Sequence, residues 1–265
     1  MPLICLHSPK GGAGKTMLTA NLASAFARTG NKVLAIDFDI QNSLRLHFGV
    51  PLTDGRGFAA SACEVDDWSQ FVLSPGGPLF LLPYGEIAPE RQRAFEKRLE
   101  ADAERLSRGL EKLINYPGLL IVADMPCGSS PLLDALLPMI DLSIVPLLAD
   151  TASLALLPVL DREPWQGSVY VINQSNNANQ ISRDVATIME QRLGARLIGA
   201  VNQDECVREA LARQQFVFDY SPASAAAFDI DSIANKATAL LGITIGDGVV
   251  QKPLTMQGIE SVYGL

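Results

Sequence analysis

Residues 8–18 read SPKGGAGKTML, a stretch whose residue types suit the binding of phosphate. Gly11, Gly12 and Gly14 let successive backbone N–H groups, together with that of Ala13, turn toward one anion. Lys15 and Thr16 follow at once, where a helical pattern begins. A lysine there meets the β- and γ-phosphates of a nucleotide, and a threonine hydroxyl there serves Mg²⁺. The strict pattern asks for a glycine six residues before Lys15, where this chain has Pro9. It asks for no second lysine, yet Lys10 stands beside that proline.

Three further stretches place polar residues at the ends of apolar runs. VLAIDFDIQNS carries Asp37 and Asp39 two residues apart. On a strand that persists through them, both face one side. LLIVADMPCGSS runs into Asp124, and a carboxylate at such an end holds Mg²⁺ directly or through water. SVYVINQSN ends its run in Asn173.

Strands and helices must hold these residues together. Strand candidates are Leu3–His7, Val33–Asp37, Leu79–Pro83, Leu119–Asp124, Leu142–Pro146, Ser168–Asn173 and Leu197–Val201. Most are continuously apolar, the mark of a parallel sheet buried on both faces. Helical patterns separate them. Lys15–Arg28 stops just before Gly30, and residues 89–114 open on Pro89. This second pattern lines up Phe95, Leu99, Leu106, Leu110 and Leu113, leaving its many charges as the solvated face. Residues 51–78, with TDGRG and SPGGP, read as a loop-rich insertion. The expected architecture is α/β, a single doubly wound P-loop NTPase domain over residues 1–242. Its central sheet is mostly parallel and flanked by helices. Residues 243–265 read as a poorly ordered tail.

Composition narrows the function. The 265 residues carry 29 acidic against 21 basic side chains, a net charge of −8. That weighs against a broad nucleic-acid surface, which works by neutralising phosphates. The N-terminus leads directly into LICLHS without a signal-peptide pattern, so a cytoplasmic location is expected. The longest apolar stretch, LLDALLPMIDLSIVPLLAD, is broken by Asp134, Pro138, Asp141 and Pro146 and reads as core, not as a membrane span. Cys5, Cys63, Cys127 and Cys206 are widely spaced, and His7 and His47 are the two histidines; neither set suggests a disulfide framework or a zinc site.

KGGAGKT resembles the deviant Walker A motif of the ParA/MinD superfamily of P-loop ATPases. The resemblance implies an ATP-dependent homodimer in which Lys10 reaches the partner's nucleotide. It makes VLAIDFDIQNS similar to switch I, D-x-D-P-Q, with Ile40 at the proline and Gln41 kept. Asp39 then orients the attacking water and Asp37 supports the metal shell. Asp124, Pro126 and Gly128 resemble switch II, D-x-P-x-G. Asn173 matches the asparagine that recognises adenine. Met17 departs from the pattern, since a hydroxyl residue that contacts the α-phosphate is usual there. Its backbone N–H remains available for that contact. Cys127 falls where a related iron protein holds a cluster, but the nearest upstream cysteine is Cys63, in the insertion, so no cluster is expected.

Within the superfamily, SPKGGAGKT, DFDIQNSLRLHFGV, DMPCGSS and REALARQQFVFDYSPASAAAFDI resemble the bacterial cellulose-biosynthesis ATPase family, over residues 1–242. This implies a cytoplasmic switch that binds ATP and Mg²⁺ and acts on a cellulose synthesis or secretion complex. Its contact with the inner membrane would be indirect, through partners. The alternatives are a DNA-partition ATPase and a small-molecule enzyme of the same fold. The acidic charge and the lack of a basic C-terminal helix speak against direct DNA or membrane binding.

Overall fold

Every apolar run listed above becomes a strand, and one more strand joins them. In the computed structural model, which describes residues 2–102, 104–162 and 164–243, the strands are β1 (Leu3–Ser8), β2 (Lys32–Asp37), β3 (Leu73–Gly76), β4 (Leu79–Leu82), β5 (Leu119–Cys127), β6 (Leu142–Leu148), β7 (Val169–Ser175) and β8 (Leu197–Asn202). They form one sheet in the order β3-β4-β2-β5-β1-β6-β7-β8. All pairs are parallel except β3 with β4. The expected tail lies, beyond Ile243, outside the described residues.

Alternation explains why the strands are continuously apolar. Ile4, Leu6, Val33, Ala35, Leu120 and Val122 pack into a core on one face. Their neighbours Leu3, Cys5, Leu34, Ile36, Ile121 and Ala123 pack into a core on the other. Each fully buried large aliphatic side chain contributes about 1.5–3 kcal/mol, so a polar residue on either face is costly. The first face is covered by α1 (Lys15–Arg28), which buries Leu18, Leu22 and Phe26, and by the helix Ala225–Leu240. A short turn, α2 (Leu44–His47), follows β2.

One expectation is corrected on the second face and another is extended. The helical pattern over residues 89–114 is two helices, α3 (Pro89–Ala101) and α4 (Glu104–Ile114). The chain leaves helical geometry at Asp102, φ −147°, and the Asp102 carboxylate pairs with Arg108 of the next helix. The apolar stripe survives the bend, for Phe95, Leu99, Leu106, Leu110 and Leu113 are all buried. Residues 51–78 are loop-rich as expected, yet they also reach the sheet and the core. They supply β3, and Phe58 and Trp68 stack at 4.5 Å between ring centres inside the core. Gly109 of α4 makes room for that indole, since a Cβ there would stand 2.4 Å from Trp68. No helix among the described residues is long and apolar enough to cross a membrane.

Candidate nucleotide site

Strands β2, β5 and β1 are neighbours in the sheet, and Asp124 stands opposite both Leu6 and Asp37 in register. The loops leaving these strands therefore start at one level, at the carboxyl edge where open α/β sheets take ligands. The glycine loop, the carboxylates of β2 and the carboxylate of β5 are brought together by this register alone.

The loop after β1 is held from several sides. Gly14 starts α1 at φ 83°, a left-handed conformation that favours glycine. A Cβ there would lie 2.1 Å from the Asn173 amide nitrogen. That nitrogen donates to the Ala13 carbonyl at 2.8 Å, so Asn173 ties β7 to the loop. Its amide oxygen is buried without a partner. The Ser8 hydroxyl donates to the Lys10 carbonyl at 2.9 Å. A cleft of about 330 Å³ opens above the loop, lined by Gly11, Gly12, Lys15, Thr16, Asp39 and Gln41 among others. Next to it lies a smaller, mainly apolar cavity of about 190 Å³, bounded by Asn173, Val201, Gln203, Val207 and Leu211.

At the floor of the cleft, the Thr16 hydroxyl donates to Asp124 at 2.6 Å. Thr19, one turn along α1, donates to the other Asp124 oxygen at 3.3 Å. Asp124 is fully buried, and burial pushes its carboxyl up to about 7 although Thr16 and Lys15 pull the other way. Burial, with the Asp124 charge opposite, also raises Asp37 well above the ordinary carboxylate range. Two buried carboxylates face each other with Lys15 as the neighbouring cation that acts on Asp124, and burial still outweighs it. A dication beside Thr16 and Asp124 fits that setting, because Mg²⁺ takes one or two carboxylates together with substrate phosphates. A closed cage does not fit, for no three His, Cys, Asp or Glu side chains cluster among the described residues.

The pair Asp37 and Asp39 is not arranged as expected. β2 ends at Asp37, so the two do not share a strand face. Asp37 turns inward and accepts the backbone N–H groups of Asp39 and Leu44, both at 3.0 Å. It shapes the loop, while Asp39 lines the cleft. One Asp39 oxygen accepts the Gln41 N–H at 2.9 Å. Beyond it Asn42 sits at φ 48°, buried, with both amide atoms unpartnered. Ile40, at the position of the usual proline, is 53% exposed.

Lys10 does not hang free. Its ammonium meets Asp150 at 2.6 Å, and Asp150 also caps the helix Thr151–Leu156 through the Ser153 N–H at 2.7 Å. Sequence reading missed Asp150, Thr19 and His47. Asp150 sits at a strand end followed by Thr-Ala-Ser, a capping pattern that gives no hint of a distant lysine. Met17 lies partly buried between the two cavities and packs on the core.

The family described as "Cellulose biosynthesis protein BcsQ" matches residues 1–238. A relative of that description from Salmonella typhi is 28% identical over 238 residues, covering 89% of this chain and 93% of the relative. Among solved structures, the septum site-determining protein MinD from Pyrococcus horikoshii, complexed with Mg-ADP, superposes with a TM-score of 0.72. It is 21% identical and covers 91% of this chain and 97% of its own. A ParA family ATPase from Chlorobium tepidum gives a TM-score of 0.67 at 21% identity, over 88% of this chain and 97% of its own. The fold is that of the MinD and ParA proteins.

Proposed function

Since the chain belongs to the family of the cellulose biosynthesis protein BcsQ, we propose that it is an ATP-dependent dimerising switch, a slow ATPase that regulates or assembles a cellulose synthesis or secretion complex. The observation that carries this reading is the cleft itself, where a preformed glycine loop, Lys15 and Thr16 face Asp39 across one space. Backbone N–H groups of residues 11–16 cradle the phosphates, aided by the positive end of α1. Lys15 meets the β- and γ-phosphates. Thr16 gives its hydroxyl to Mg²⁺, with Asp124 behind it and Asp37 supporting the shell from below. Mg²⁺, when bound, neutralises charge that develops on the phosphates. Asp39 accepts a hydrogen bond from the attacking water and aims it at the γ-phosphorus. The bond to the bridging oxygen breaks, leaving ADP and phosphate. The adenine ring occupies the apolar cavity beside Asn173.

Lys10 acts in the dimer. In one chain it is held by Asp150; in a pair it leaves that carboxylate for the partner's phosphates, adding charge where phosphoryl transfer needs it. Partner proteins read the ATP-bound pair, and hydrolysis reopens it. The work is placed in the cytoplasm, with the inner membrane reached through partners. The net charge of −8 speaks for this reading over DNA partition. Light scattering with ATP and Mg²⁺ tests it. Asp39→Ala is expected to accumulate a stable dimer while the wild type cycles. Failure of both proteins to dimerise sinks the switch.

A further inference from the structure

The two histidines sit in opposite settings. His7, on β1, is fully buried, stacks on Trp165 at 4.7 Å and has its Nε2 hydrogen-bonded to the Ser143 hydroxyl. His47, the last residue of α2, is 4% exposed. The enclosed, unpartnered polar atoms of the described residues include His7 Nδ1 but neither ring nitrogen of His47. What it faces is a cavity on each side. His47 lines the phosphate cleft and the apolar cavity alike, and it shares that position with Gly14, Met17 and Leu211 alone. These four residues form the neck between the two spaces.

A nucleotide with its terminal phosphates on the glycine loop and its base in the apolar cavity threads its α-phosphate through this neck. At the same place the chain has Met17, whose thioether cannot donate a hydrogen bond. We infer that His47 is a nucleotide-binding residue, donating a ring N–H to the α-phosphate from the side opposite the loop. The inference rests on the nucleotide reading above and adds a residue to it. Its mounting suits the task. The Leu44 N–H that opens α2 is held by Asp37, and Leu44 itself is buried, so the turn carrying His47 is fixed to the end of β2. Burial holds the His47 ring down at about 4, which leaves it neutral near pH 7 with one N–H to give. The run LRLHFGV after switch I thereby acquires a role in the site.

Calorimetry with ADP and Mg²⁺ on the full chain tests the assignment. His47→Ala is expected to weaken ADP binding roughly tenfold, the loss typical of one hydrogen bond to a charged group. His47→Gln, which keeps a donor, recovers most of that loss. Adenosine, followed by NMR titration, binds both variants as it binds the wild type, because it has no phosphate to contact. With two histidines in the chain, the imidazole ¹⁵N signals give a direct second readout. ADP should move the resonance that vanishes in His47→Gln and leave that of His7 nearly still. Unchanged ADP affinity in His47→Ala, or equal losses for ADP and adenosine, overturns the role of His47 while leaving the nucleotide reading intact. A wild type that binds no ADP overturns that reading itself.

Discussion

On the β5 side of the cleft, Thr16 and Thr19 hold both oxygens of Asp124, and Asn173 pins the glycine loop at Ala13. On the β2 side, residues 38–43 leave Asn42 in a left-handed conformation with its buried amide unpaired, and Asp39 held by one local contact. Polar groups left unpaired inside a protein, and backbone held in sparsely populated conformations, mark segments with an alternative arrangement in reach. The β5 side is largely finished before anything binds, with the Asn173 amide oxygen left for a ligand to meet. On the β2 side, the proposed switch would have residues 38–43 rearrange once a ligand supplies the missing partners. On the nucleotide reading proposed above, phosphate binding rests mainly on the first side and response on residues 38–43 of the second.

That division is broken most severely by Lys15→Ala. Losing the lysine from the finished side should weaken ADP binding on the order of a hundredfold, about 3 kcal/mol, by calorimetry. Asp39→Ala, on the responsive side, should leave ADP affinity nearly unchanged while phosphate release in single turnover falls steeply. Equal losses of affinity in the two variants would erase the distinction. A smaller effect is expected from Asp150→Asn, which keeps the helix cap but releases Lys10. Each such pair is partly exposed and so worth about 0.2–1 kcal/mol, and with two released per dimer ATP-driven dimerisation should shift to roughly two- to thirtyfold lower protein concentration. No shift in light scattering would mean that Lys10 has no part in assembly.

A further effect is on stability against pH. Asp124 binds its proton more tightly folded than unfolded, so its contribution is full below the ordinary carboxylate value and is lost as pH rises through about 7. His7 and His47, both lowered to about 4 by burial, act in the opposite sense below their unfolded value near 6.5. Above pH 6.5 the two buried carboxylates, Asp124 and the likewise raised Asp37 beside it, act together in one sense. The unfolding midpoint of the free protein should rise as pH falls from 8 to 6.5. Mg²⁺ with ADP should flatten the slope, since a cation at the finished side favours the ionised carboxylate. A midpoint that rises with pH in the free protein would contradict the burial of Asp124.

Much of this was legible in the residues. α1 begins at Lys15 and ends at Arg28 as read, because glycines bracket it on both sides. The strands agree to within a few residues, since burial on both faces removes polar interruptions. β5 runs on past Asp124 to Cys127, where pairing with Ser8, the last residue of β1, extends it. Less local facts were hidden. The break at Asp102 falls between Leu99 and Leu106, whose seven-residue spacing is the same for one straight helix as for two bent ones. β3 has too little apolar character to announce itself, and it forms because β4 offers an edge. Lys10 and Asp150 are 140 residues apart, and Asn173 reaches across 160 to Ala13. Such contacts follow from strand order, which no short pattern contains. His47 was noted only as one of two histidines, since nothing around it in the chain reveals that it ends in a neck between cavities.

The tight seat of Trp68 against Gly109 has an optical consequence. The chain has two tryptophans, and they lie in separate clusters on the same face of the sheet, Trp68 against Phe58 and α4, Trp165 against His7 on the strand that feeds the glycine loop. Intrinsic fluorescence thus contains two native reporters with different duties. A change in Trp165 emission reads the base of the nucleotide loop, while Trp68, clamped where even a methyl group is excluded, supplies a steady internal standard. Trp68→Phe and Trp165→Phe proteins separate the two signals without any attached dye.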